Sequence, residues 1–184
     1  MACSCSRWRS SDVRSSDDAV AFEGALFKKQ IHRADLQPEK LLGAGQFGEV
    51  YFAFQSLKDK GTGTVVRNPR AVKMLKGEAD KKAKEEFMRE CNMMLDIGEH
   101  PNVVQMVGVA VQQVPWLCVL EFQPFGDLRE VVMGAKAKGV QLTVKEQVGM
   151  MQQVRAGSGC PFWGDFYSFF LSIRFTTWVC SVQV

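Results

Sequence analysis

Three glycines fall within six residues, Gly43-Ala44-Gly45-Gln46-Phe47-Gly48, and the chain then runs straight into Glu49-Val50-Tyr51-Phe52-Ala53-Phe54. The G-x-G-x-x-G spacing alone is ambiguous, because dinucleotide-binding folds share it. In those folds a helix opens at the third glycine. Here the residues after Gly48 are β-branched or aromatic at four of the five positions from Val50 to Phe54, which is a strand pattern. With Leu41-Leu42 on its other side, the loop reads as the turn of a hairpin. Glycines there let backbone lie close to a ligand, with Leu42 and Val50 flanking it. An ordinary glycine-rich hairpin fits the same residues.

Further along, Gly61-Thr62-Gly63 marks a second turn, and Thr64 to Leu75 reads as another strand. Ala79 to Ile97 has helical spacing, with Ala83, Phe87, Cys91, Met94 and Leu95 on one stripe and Gly98 as its stop. Val103–Val111 and Trp116–Phe122 are strand signals. Helices are expected near Leu128–Ala137 and from about Thr143 through Val154. Strand, strand, strand, helix, strand, strand and then helices is an antiparallel α+β layer with one helix packed on it.

Within the third strand, Arg70-Ala71-Val72-Lys73-Met74-Leu75 puts Ala71, Lys73 and Leu75 on one face. A lysine amid apolar strand residues is costly unless its charge meets a partner, although an edge-strand lysine pointing to solvent satisfies the same pattern. Glu90, seventeen residues on, lies at the rim of the helical stripe, so it offers the opposite charge.

Composition bounds the classes. The 184 residues are 46% hydrophobic and 23% charged, with a net charge of +3 whose signs are mixed along the chain. That is one ordinary domain with an arm, and it lacks the basic face of a dedicated nucleic-acid binder. The six cysteines form no C-x-x-C pair, and Cys91 and Cys118 sit in apolar patterns as reduced core thiols. Residues 1–20 are rich in Ser, Arg and Asp without periodicity, and no apolar stretch there reads as a secretory leader. After Gly157 the pattern changes to an aromatic-rich run that holds no period. Asp165 and Arg174 interrupt it, so it makes no clear membrane segment.

Taken in order, the glycine loop, Arg70-Ala71-Val72-Lys73, Glu90, His100-Pro101-Asn102 and Leu117 to Gln123 resemble the protein kinase family. Phe87-Met88-Arg89-Glu90-Cys91, Gly126-Asp127-Leu128-Arg129 and Met150 to Gly157 are similar to its tyrosine kinase branch. Arg70 stands where that family usually has Val. The resemblance implies a kinase-like N-lobe, a five-stranded antiparallel sheet plus one helix, followed by the first helices of an incomplete C-lobe. The boundaries it implies are a disordered or juxta-domain arm at 1–35, an N-lobe at 36–123, the start of a C-lobe at 124–157 and an aberrant apolar tail at 158–184. It further implies ATP as ligand, with Leu42, Gly43, Gly45, Gly48, Val50 and Ala71 around the nucleotide and Lys73 on its phosphates, held by Glu90. Leu120 would be the gatekeeper, the backbones of Glu121 and Gln123 would meet the adenine edge, and Asp127 would lie near the ribose. His100 is expected to organise backbone.

The family's His-Arg-Asp loop and Asp-Phe-Gly metal motif are not found after Gly157 in these residues; Ile31-His32-Arg33-Ala34-Asp35 precedes the glycine loop, and Asp165-Phe166-Tyr167 follows Gly157 too closely. The expectation is therefore the ATP-binding portion of a protein tyrosine kinase, with no catalytic residue and no magnesium ligand of its own. Its expected location is cytoplasmic, or the cytoplasmic side of a membrane if it comes from a receptor kinase. A short non-catalytic module that pairs with another kinase or protein through its lobe face is the alternative reading. A nucleotide-binding protein of another fold is a third.

Overall fold

The structure is a computed structural model, and it describes residues 26–158 apart from 46, 47, 60, 78 and 127. The expected arm up to residue 25, the tail from 159, and Asp127 lie outside the described residues. The chain divides into two compact units. One takes the residues up to Asp96 together with Met106–Phe122, and the other takes Ile97–Gln105 together with the residues from Gln123 onward.

The first unit is built on a five-stranded antiparallel sheet. Its strands are β1 (Leu36–Ala44), β2 (Gly48–Lys58), β3 (Val65–Leu75), β4 (Met106–Ala110) and β5 (Leu117–Glu121), in the order β1-β2-β3-β5-β4. Register follows from alternation: Tyr51, Ala53, Val72, Met74, Leu117 and Val119 all bury on one face, joined by Leu36 and Ala110. Val72, Leu117, Val119 and Ala53 are wholly inaccessible.

The opposite face carries Val50, Ala71, Lys73, Cys118 and Leu120, and the helix α1 (Lys81–Ile97) packs there. Asp80 caps α1 by accepting from the Ala83 N–H at 2.8 Å, and Gly98, at φ +64°, gives the chain its left-handed exit. Phe87 meets the Trp116 ring at a centroid distance of 6.2 Å, and the Lys84 ammonium lies 5.4 Å from the same ring. The expected stripe is broader than periodicity suggested. Met88 and Met93 are buried with Phe87, Cys91 and Met94, whereas Ala83 and Leu95 are only half-buried.

The ordered chain begins upstream of β1. Leu26 is buried, Phe27–Lys29 and Arg33–Asp35 form 3-10 turns, and Gln30 bridges Val109 in parallel, with the Ile31 N–H donating to the Val109 carbonyl at 2.8 Å. Arg33 donates to the carbonyls of Gln113, at 2.7 Å, and Pro115. This segment closes the outer edge of β4, which would otherwise offer unpaired backbone groups. It can do so because Gly108 has no side chain: a Cβ there would lie 2.3 Å from the Lys29 carbonyl oxygen and 2.7 Å from Ile31 Cδ1. Gly108→Ala is expected to cost about 1–3 kcal/mol and to expose the Lys28 and Lys29 bonds to trypsin. An unchanged cleavage pattern would show that the segment is not held this way.

The second unit holds α2 (Leu128–Ala137) and α3 (Val144–Ser158). Gly139, at φ +71°, ends α2, and the Val140 N–H returns to the Ala135 carbonyl at 2.9 Å. Thr143 and Glu146 form a reciprocal capping box that starts α3. His100 holds the Asn102 N–H on its Nδ1 at 3.1 Å and the Val103 N–H on its carbonyl at 3.2 Å, the backbone-organising role expected of it. Among the described residues no helix is long and apolar enough to cross a membrane.

Candidate nucleotide site

The register of the sheet brings four of the expected site residues together. Val50 pairs with Lys73 and Ala71 with Leu120 across adjacent strands, so all four side chains project from one face. Lys73 Nζ donates to Glu90 Oε2 at 2.5 Å, with the two side chains 23% and 19% exposed. At that exposure the pair is only partly desolvated, and an ammonium with three N–H groups has donors left for an anion. The strand supplies the lysine, α1 supplies the carboxylate, and Phe87 and Cys91 on either side of Glu90 fix how α1 presents it.

Arg70, the departure from the family pattern, faces the other way. Its Nε donates to Gln55 Oε1 at 2.9 Å, and it lies directly across the strands from Glu121. Desolvation lowers the Arg70 pKa and the nearby Glu121 carboxylate opposes that shift. A long cation is tolerated where valine is usual because Gln55, itself buried, takes one of its protons. The Glu121 side chain thus projects from the face opposite Lys73, which leaves only its backbone for the role the resemblance implies.

The three glycines are not equivalent. Gly48 is demanded by the fold, since a Cβ would lie 2.2 Å from the Met74 carbonyl oxygen. A Cβ on Gly43 or Gly45 would meet nothing within 4 Å, and neither residue has a positive φ. Neither packing nor backbone conformation of this chain therefore requires glycine at 43 or 45. The Gly45 N–H donates to the Gly48 carbonyl at 2.8 Å, closing the turn, and Leu41 and Leu42 beside it are about half exposed. Space left over two glycines beside a lysine suits a ligand that approaches main chain closely and carries negative charge. Gln123 lies in the second unit, and Asp127 is outside the described residues.

Comparison with known proteins agrees with this arrangement. The family profile described as protein tyrosine and serine/threonine kinase matches residues 36–159. Ephrin type-B receptor 5 of Gallus gallus is 33% identical over 131 residues, and Ephrin type-B receptor 1-A of Xenopus laevis is 31% identical over the same length. Ephrin type-B receptor 4 of Mus musculus is also 31% identical. Each alignment covers 71% of this chain and 12% of the relative, so the chain spans about an eighth of the length of these curated relatives. With its sheet, its helix α1 and its Lys73–Glu90 pair, this chain belongs to the protein tyrosine and serine/threonine kinase family.

Proposed function

We propose that the chain is the ATP-binding portion of a protein tyrosine kinase. The observation that carries this reading is the Lys73–Glu90 pair at 2.5 Å, set on the same sheet face as Val50, Ala71 and Leu120. Lys73 holds the α- and β-phosphates, and Glu90 holds Lys73 in place. Gly43 and Gly45 let the β1–β2 turn lie over those phosphates, while Leu42, Val50, Ala71 and Leu120 enclose the purine. The backbones of Glu121 and Gln123 bond the adenine edge, and Asp127 meets the ribose. ATP, with its magnesium, supplies the phosphoryl group. The tyrosine assignment rests on Phe87-Met88-Arg89-Glu90-Cys91 and Gly126-Asp127-Leu128-Arg129, and on the likeness to Ephrin type-B receptors. That likeness also favours the cytoplasmic side of a membrane as its place.

As a separate polypeptide, these 184 residues bind ATP without transferring its γ-phosphate, because transfer needs metal ligands and a nucleophile-orienting aspartate that the family motifs supply. An acyl-phosphate derivative of ATP tests the binding reading, since it acylates whichever lysine touches the phosphates. Labelling is expected at Lys73, suppressed by excess ATP. Labelling spread over surface lysines and indifferent to ATP would contradict the reading.

A further inference from the structure

Behind the lysine–glutamate pair lie two thiols that no step above uses. Cys91 follows Glu90 on α1, and Cys118 on β5 pairs directly with Lys73 on β3. Directly paired residues of adjacent strands project from the same face, so Cys118 stands beside Lys73 and faces α1. The salt bridge brings Glu90 to that point, and with it Cys91, one residue along the helix. Both cysteines are free and buried, at 1% and 3% exposure, and a hydrogen bond joins their thiols.

We infer that Cys91 and Cys118 form an intramolecular disulfide on exposure to a peroxide, fixing α1 to β5 beside the Lys73–Glu90 pair. The reaction is balanced as two thiols and one hydrogen peroxide giving one disulfide and two waters. The first sulfur is oxidised to a sulfenic acid with loss of one water, and the second displaces hydroxide from it, which leaves as the other water. The thiols lose two electrons in total and the peroxide gains them.

Burial and the neighbouring thiol and carboxylate push the Cys91 pKa up, so the thiolate that must attack is scarce while α1 is docked. The disulfide therefore forms slowly, through states in which α1 lifts from the sheet, and it then keeps the helix from lifting again. This cross-link is independent of whether ATP binds.

The sequence makes the test direct. Trypsin releases Glu90 to Arg129 as one peptide, because no Lys or Arg lies between Arg89 and Arg129, and its only cysteines are Cys91 and Cys118. The folded full chain is treated with hydrogen peroxide, remaining thiols are blocked with an alkylating agent under denaturing conditions, and the digest is weighed. The expected peptide is lighter by two hydrogens and carries no alkyl group; reduction restores two alkylation sites. The oxidised protein is expected to melt about 5 °C or more above the reduced protein, and Cys118→Ala removes both the internal cross-link and the rise in melting temperature. A Glu90–Arg129 peptide alkylated at both cysteines after hours in peroxide overturns the proposal, as does oxidation to sulfinic acid or linkage of either cysteine to another peptide.

Discussion

Replacing Leu117 with alanine is expected to lower the unfolding free energy by about 3–4 kcal/mol, with a matching fall in the denaturant midpoint. Leu117 is wholly inaccessible and pairs with Met74 on one side and Ala110 on the other. It therefore sits where β3, β5 and β4 share their core, among Tyr51, Val72 and Val119. Truncation removes three heavy atoms from a position whose neighbours are pinned by strand register, so the cavity cannot close by a local shift. Val65→Ala is the matched control. Val65 is 55% exposed at the far end of β3, and its loss is expected to change stability by less than about 0.5 kcal/mol. Equal effects at the two sites would mean that the buried face of this sheet is not the folding core.

The Lys73–Glu90 pair carries the second large effect. Lys73→Met is expected to weaken ATP binding about 10- to 100-fold, the value of a hydrogen bond to a charged group. Glu90→Gln is expected to weaken it less, since Glu90 acts by positioning Lys73. The double variant should then bind no worse than Lys73→Met alone. Additive losses would show that Glu90 acts by a route other than the lysine. Stability separates from binding in the same set. Removing either partner of a pair this accessible is expected to cost about 1–2 kcal/mol, between the values for exposed and fully buried pairs. Lys73→Met should therefore remain folded, and circular dichroism together with a melting curve would verify it.

Where two periodicities alternate cleanly, the architecture was legible from residues alone. Period two from Val50 to Phe54 and from Ala71 to Leu75 gave β2 and β3, and helical spacing with a glycine stop gave α1. Lys73 could be matched to Glu90 because a charge within an apolar strand needs a partner, and only one carboxylate stood at the edge of the stripe. What stayed hidden depends on backbone. The segment from Leu26 to Asp35 docks through main-chain bonds to Val109 and through the missing side chain of Gly108, and no period in residues 19–31 reports that. A glycine inside an apolar strand pattern was the available signal, since it marks a close approach of another backbone. In the same way, the motif spacing treats Gly43, Gly45 and Gly48 alike. Only the structure separates the one required by Met74 from the two left open toward a ligand. The strand expected from Val103 starts at Met106, because the Val103 N–H is taken by the turn at His100.

The central claim is that this chain binds ATP through the Lys73 face of its sheet. Calorimetric titration of the purified 184-residue protein with ATP and magnesium tests it most directly. The account predicts saturable binding at one site per chain, lost or strongly weakened in Lys73→Met. Absence of heat at millimolar ATP from a protein shown to be folded, or identical isotherms for the two proteins, would contradict it.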